Sequence, residues 1–262
     1  MAAMTSVAST LTYDVGAPST VALQVAVAAR TTSEVLTVTL DGIPVRTSRV
    51  ERTDVVRVDP GRLVVTYSAA LAGPGGAPPP PSEMDRLVAM RPSRYCPSDR
   101  LGGFAASRFG REGTPVDTVR AITAHVFEHL VYDTGASGPA TDAADTLLAG
   151  RGVCRDYAHV VAALCRAVGV PARVAAVYAP GLAPMDFHLV VETALDGAWW
   201  VWDATRLAPR TGLVRIATGR DAADVAFATV LTGRVDPVGM EITAVVDGDL
   251  PADDHLSLVA LP

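Results

Sequence analysis

Cys154, His188 and Asp203 stand in an order and in local settings that suit nucleophilic catalysis by a thiol. Cys154 lies in RGVCRDYAHVVAALCRAVGVPAR, residues 151–173, behind Gly150 and Gly152. It opens a stretch in which Tyr157, Val160, Val161, Leu164 and Val168 share one helical face, ending at Gly169 with Pro171 beyond. A helix N-terminus offers unpaired N–H groups and a positive dipole end, a setting that can lower a cysteine pKa from ~8.5 to ~3.5–7.5. The glycines let a substrate carbonyl come close to the backbone, and the Cys154 amide can donate to the oxyanion that forms. The competing reading is a packed thiol acting as a small apolar side chain.

A base and its orienting acid are legible in FHLVVETALDGAWWVWDAT, residues 187–205. Asp196-Gly197 favours a two-residue hairpin turn, which pairs Leu195 with Ala198, Val190 with Asp203 and His188 with Thr205. His188 and Asp203 then become diagonal neighbours on one face, their Cβ atoms roughly 7–8 Å apart. An imidazole and a carboxylate bridge that gap. An aspartate among Trp199, Trp200 and Trp202 is costly to bury without a partner, and His188 is at hand. In this arrangement His188 takes the thiol proton and Asp203 fixes its tautomer and orientation.

Composition narrows the chemistry further. The chain of 262 residues has no Lys, no Asn and a single Gln, Gln24. Schiff-base and phosphate-loop lysines are excluded, and the third member of a Cys-His set has to be a carboxylate. A net charge of −6 argues against nucleic acid and anionic membranes as partners. No apolar run reaches the roughly 18 residues of a spanning helix, and the first 30 residues lack a signal-peptide pattern, so a cytoplasmic location is expected. Cys96, Cys154 and Cys165, an odd number at irregular spacing, suit free thiols better than disulfides or a zinc ribbon. No Asp-rich loop supports calcium, and no cofactor is expected.

The elements around these residues predict an α+β fold. Residues 1–72 read as an N-terminal β domain, its strand signals running from 19 to 72 and broken by Asp-Gly and Pro-Gly turns. GPGGAPPPPS, 73–82, reads as a linker, and 83–262 as the core with a late strand at MEITAVV, 240–246. Within the core, 91–105 reads as ordered loop. Helices are expected over 114–133, behind the Thr114 cap and Pro115, over 141–150, from about 153 to 168, and over 219–229 behind Asp221. Antiparallel strands follow the Cys helix.

At the same three blocks the sequence resembles the transglutaminase-like superfamily, in its bacterial branch of transglutaminase-like cysteine proteases. GVCRDYAH matches the Cys block, DFH (186–188) the His block, and WDATRLAPRTGLVRIATGRDAADVAF the Asp block and the segment after it. The similarity runs from about 91 to 235, and the early strands look like the small β domain that often precedes this core. The resemblance implies a papain-like fold, with the Cys helix packed on an antiparallel sheet, and a Cys154, His188, Asp203 triad. The family commonly follows its His with Ala-Trp; here the pair is Leu189-Val190, so an aromatic on the substrate side is lost or replaced.

The function expected is acyl transfer through a thioester on an amide or peptide carbonyl, as an amidase or peptidase or with a transglutaminase-type acceptor. Its partner is a protein or peptide substrate, and the sequence leaves the oligomeric state open. Tyr132, Asp156, His159 and Arg206 are further candidates to line the site. The alternative is a catalytically degenerate module that binds without turnover. A third reading takes His125, Glu128 and His129 of HVFEH as part of a zinc peptidase site, against which no downstream helix offers a third acidic ligand.

Overall fold

The computed structural model describes residues 4–72, 79–110 and 113–261. Period-two alternation of Val, Leu and Ala with Ser and Thr builds six strands: β1 (Met4–Leu23), β2 (Ser33–Leu40), β3 (Ile43–Pro44), β4 (Thr47–Val50), β5 (Thr53–Val58) and β6 (Gly61–Ala72). β1 begins well before the strand signal at 19, because Val7, Ser9, Leu11, Tyr13 and Val15 alternate inward. After it come α1 (Glu83–Ala89), α2 (Gly102–Phe109), α3 (Pro115–His129), β7 (Val131–Tyr132), α4 (Ala143–Ala149), β8 (Arg151–Gly152) and α5 (Cys154–Ala167). The chain ends with β9 (Ala172–Tyr178), β10 (Phe187–Leu195), β11 (Ala198–Trp202), β12 (Val214–Gly219) and β13 (Ala228–Val246).

β11, β10, β9 and β12 form, in that order, an antiparallel sheet. Its side chains alternate between two covers. Val174, Leu189 and Val191 join Val160, Val161 and Leu164 of α5 on one face. Val177, Val190 and Val201 meet the C-terminal segment through Leu261 on the other, and Val201 N–H donates to the Val259 carbonyl at 2.8 Å. The Cys helix therefore packs on an antiparallel sheet, as expected. Asp196 and Gly197 take φ of 50° and 79°, the two positive values of a type I′ turn, and the ladder runs from Leu195 opposite Ala198 to Val191 opposite Trp202.

Caps set the helix boundaries. Thr114 Oγ1 accepts the Asp117 N–H at 3.2 Å while the Asp117 carboxylate takes the Thr114 N–H, with Pro115 at the first helical position. Asp142 does the same for α4, which stops at Gly150 in the left-handed region, φ 65°.

Three expectations need correction, and one helix was not foreseen. The segment 91–105 is not all loop, since α2 starts at Gly102. Residues 219–229 are not a helix but the end of β12, a turn segment and the start of β13: Asp221 accepts the N–H groups of Ala223 and Tyr95, and the Ala222 N–H goes to His159, so the amides are engaged outside a helical ladder. α1 follows the proline run, started by Ser82. The late strand assigned to the core is part of β13, which covers one edge of β1 from Leu23–Ala228 to Thr5–Val246 while β6 and β5 share the other edge. A seven-stranded sheet results, so the β region is made from both ends of the described chain. Residues 73–78 of the expected linker lie outside the described residues. The two parts share a core: Tyr178, Val214 and Ile216 pack among the β-region side chains, and the Tyr178 hydroxyl donates to the Val25 carbonyl at 2.9 Å and lies 3.1 Å from Ser9 Oγ.

Candidate active site

Cys154 is the first residue of α5 and half-buried; Cys96 and Cys165 are fully buried, and all three are free thiols. Burial pushes the Cys96 and Cys165 pKa values up to about 12. A parallel β7–β8 pair holds the approach to the helix, setting Tyr132 beside Gly152, with Asp133 N–H donating to the Gly152 carbonyl at 3.0 Å. The pair is pinned from behind by the Tyr157 hydroxyl, which donates to the Leu130 carbonyl at 2.7 Å. Asp156 Oδ2 accepts the Val153 N–H at 2.9 Å, fixing the entry of the chain into the helix. That close approach needs Gly152: a Cβ there would sit 2.7 Å from Asp156 Cβ.

On β10, His188 is buried, and its Nε2 lies 2.8 Å from Asp203 Oδ2 just past the end of β11. Asp203 is held in turn by Thr205, whose N–H and hydroxyl both donate to Oδ1, at 2.8 and 2.7 Å. Thr205 is a positioning residue that sequence reasoning missed, although an aspartate two before a threonine is a turn signal that could have found it. The other ring nitrogen of His188, Nδ1, is buried without a hydrogen-bond partner among the described residues, and Cys154 adjoins the ring. Burial disfavours the charged imidazole, yet the Asp203 carboxylate and the neighbouring Cys154 outweigh it and push the pKa up to about 10. Burial opposes the Asp203 carboxylate too, and His188 with Thr205 holds it below the usual range.

Residues 103–204, which carry all three groups, match the transglutaminase-like superfamily. Over nearly its whole length the chain also resembles the crystal structure of a candidate cysteine protease from Cytophaga hutchinsonii. The two are 31% identical with a TM-score of 0.87, covering 98% of this chain and 96% of that one. The chain belongs to the transglutaminase-like superfamily. A protein of Mycobacterium leprae, itself uncharacterised, is 28% identical over 148 residues, and this chain spans about half the length of that curated relative.

The remaining site candidates of this transglutaminase-like chain fall in different places. Tyr132 neighbours Cys154: β7 sets it opposite Gly152, and burial together with the nearby sulfur raises its pKa to about 12. Asp156 is a buried cap turned to Val153. His159 is a wall residue, stacked on Tyr95 at 5.2 Å, with Nε2 accepting the Ala222 N–H; burial takes its pKa down to about 3, so it is neutral. Arg206 is exposed beside the Asp203 turn, its guanidinium 3.9 Å from the Phe127 ring centroid. Leu189 and Val190 are both buried in the sheet, one on each face, so neither replaces an aromatic at the cleft. The His125 and His129 rings lie 3.9 Å apart and tilted by 37°, with His129 Nδ1 against the His125 carbonyl, and no group of three His, Cys, Asp or Glu among the described residues is arranged to hold a metal. No helix among the described residues is long and apolar enough to cross a membrane.

Proposed function

We propose that this chain is a cysteine-dependent amidase or peptidase working through a thioester on Cys154. The observation that carries the reading is the buried His188–Asp203 pair, whose other ring nitrogen has no partner among the described residues and whose neighbour is Cys154. Cys154 passes its proton to His188 Nδ1, and Asp203 compensates the imidazolium through Nε2. The thiolate adds to the amide carbonyl carbon and the carbonyl electron pair moves to oxygen. When the oxyanion collapses, the C–N bond breaks and His188 gives its proton to the leaving amine. Water then attacks the thioester, its proton going to His188, and the acid leaves as sulfur is regenerated. A primary amine reaching the thioester first would give transamidation instead. The likeness to a candidate cysteine protease favours peptides as donors.

A single-turnover assay on a library of short acyl-amides and peptides, with and without added primary amine, tests this by following intact mass and product. A transient acyl adduct on Cys154, lost in Cys154→Ala, is expected, with the free acid as product. Turnover that survives in Cys154→Ala would overturn the reading, as would the absence of any adduct together with alkylation of Cys154 by iodoacetamide no faster than that of Cys165.

A further inference from the structure

The mechanism needs a second donor for the oxyanion beside the Cys154 amide, and most side chains that could serve are already engaged. Gln24 Nε2 is bound to the Asp224 carbonyl in the β region. The indoles of Trp200 and Trp202 donate to the Leu195 carbonyl and to Thr193 Oγ1. Trp199 is buried against the Arg173 guanidinium, with Asp85 and Asp224 along the same pocket. The Thr205 hydroxyl is spent on Asp203, and His159 faces Ala222. Tyr132 is left: the β7–β8 pairing sets it opposite Gly152, two residues ahead of Cys154, with its ring 6.0 Å from that of Tyr157.

We propose that the Tyr132 hydroxyl is this second donor, closing with the Cys154 N–H around the oxygen of the tetrahedral intermediate; the proposal rests on the thioester reading above. Without substrate the phenol lies beside the Cys154 end of the helix, where the carbonyl oxygen has to come. An entering carbonyl takes the N–H and the half-exposed phenol turns its O–H to the same oxygen. As the sulfur adds, negative charge grows there between two donors already in place.

Alkylation and acylation separate this role from an effect on the thiol, because displacement of iodide by sulfur builds no oxyanion whereas attack on an ester does. In the full chain, the burst of 4-nitrophenolate from p-nitrophenyl acetate reports thioester formation, and iodoacetamide reports the nucleophile alone. In that burst the thiolate adds, the ester C–O bond breaks, and nitrophenolate departs with the bonding pair. Tyr132→Phe is expected to slow the burst by about 10²–10³-fold while alkylation of Cys154 stays near the wild-type rate, which also reports an intact site. A burst unchanged in Tyr132→Phe overturns the proposal, as does a burst and an alkylation rate that fall by the same factor. A wild-type chain with no burst above Cys154→Ala overturns the thioester reading, and this proposal with it.

Discussion

Replacing Asp203 with Asn keeps the side chain's size and removes the charge that holds His188. The ring pKa of about 10, against 6.5 for an unperturbed imidazole, corresponds to about 5 kcal/mol in favour of the protonated ring. Burial acts in the opposite direction, so without the carboxylate the ring pKa drops below its free value. Acyl transfer from an amide needs a protonated His188 to release the amine. The alkaline limb of the single-turnover rate therefore lies near pH 10 in the wild type and moves to the acid side of neutrality in the variant. With the tautomer no longer fixed, the rate near pH 7 falls by about 10⁴-fold. Stability follows the same group. A folded pKa above the unfolded one gives a contribution that is full below pH 6.5 and lost as pH rises through about 10. The wild-type unfolding free energy should fall across that window by up to about 5 kcal/mol more than the variant's, both sharing the loss that the buried thiols Cys96 and Cys165 bring as unfolded cysteine ionises. Urea unfolding below, within and above the window, beside rate profiles on one amide substrate, measures both. An alkaline limb and a stability loss identical in the two proteins would refute the claim that Asp203 sets the charge of His188.

Four other outcomes are expected. Native protein should take up one equivalent of iodoacetamide, at Cys154, since Cys96 and Cys165 are buried with raised pKa values; peptide mapping that finds label at either buried thiol would contradict this. Gly152→Ala drives a Cβ to 2.7 Å from that of Asp156 and should cost about 1–3 kcal/mol while slowing acylation, so an unchanged melting temperature and burst would count against the cap's role. Arg210→Met leaves the buried Asp253 carboxylate, now 2.7 Å from the guanidinium, without its cation; a loss of about 3–5 kcal/mol by calorimetry is expected. EDTA should leave turnover unchanged, and inhibition reversed by added zinc would revive the reading built on His125 and His129.

Legibility in the sequence tracked how local each determinant is. Asp196-Gly197 fixes a turn by the backbone conformation it permits, and the hairpin register followed from it as far as Trp202. Cys154 and α5 were readable from adjacent glycines and a continuous apolar face. β13 was not, since Gly233, Pro237 and Gly239 interrupt it and most of its side chains are exposed on both faces; only its pairing to β1, over 200 residues away, makes it a strand. The failed helix after Gly219 has a similar cause. Asp221 looks like a cap in isolation, but the distant Tyr95 and His159 claim the groups a helix would need. Tyr132 was already a candidate in the sequence, but its place beside the Cys helix comes from a strand pair, and the hold of Thr205 on Asp203 from a turn.

Because the last long strand lies against the first, the order of synthesis and the order of folding diverge. A nascent chain that has emerged through Gly219 carries every group of the thiol centre, yet one edge of its opening strand of 20 residues is still bare, a template for stray pairing with other chains. Translation of residues 228–246 covers it. Cover for that edge therefore arrives only after every residue of the candidate thiol site is made, and a chain stalled between the two carries the edge unpaired.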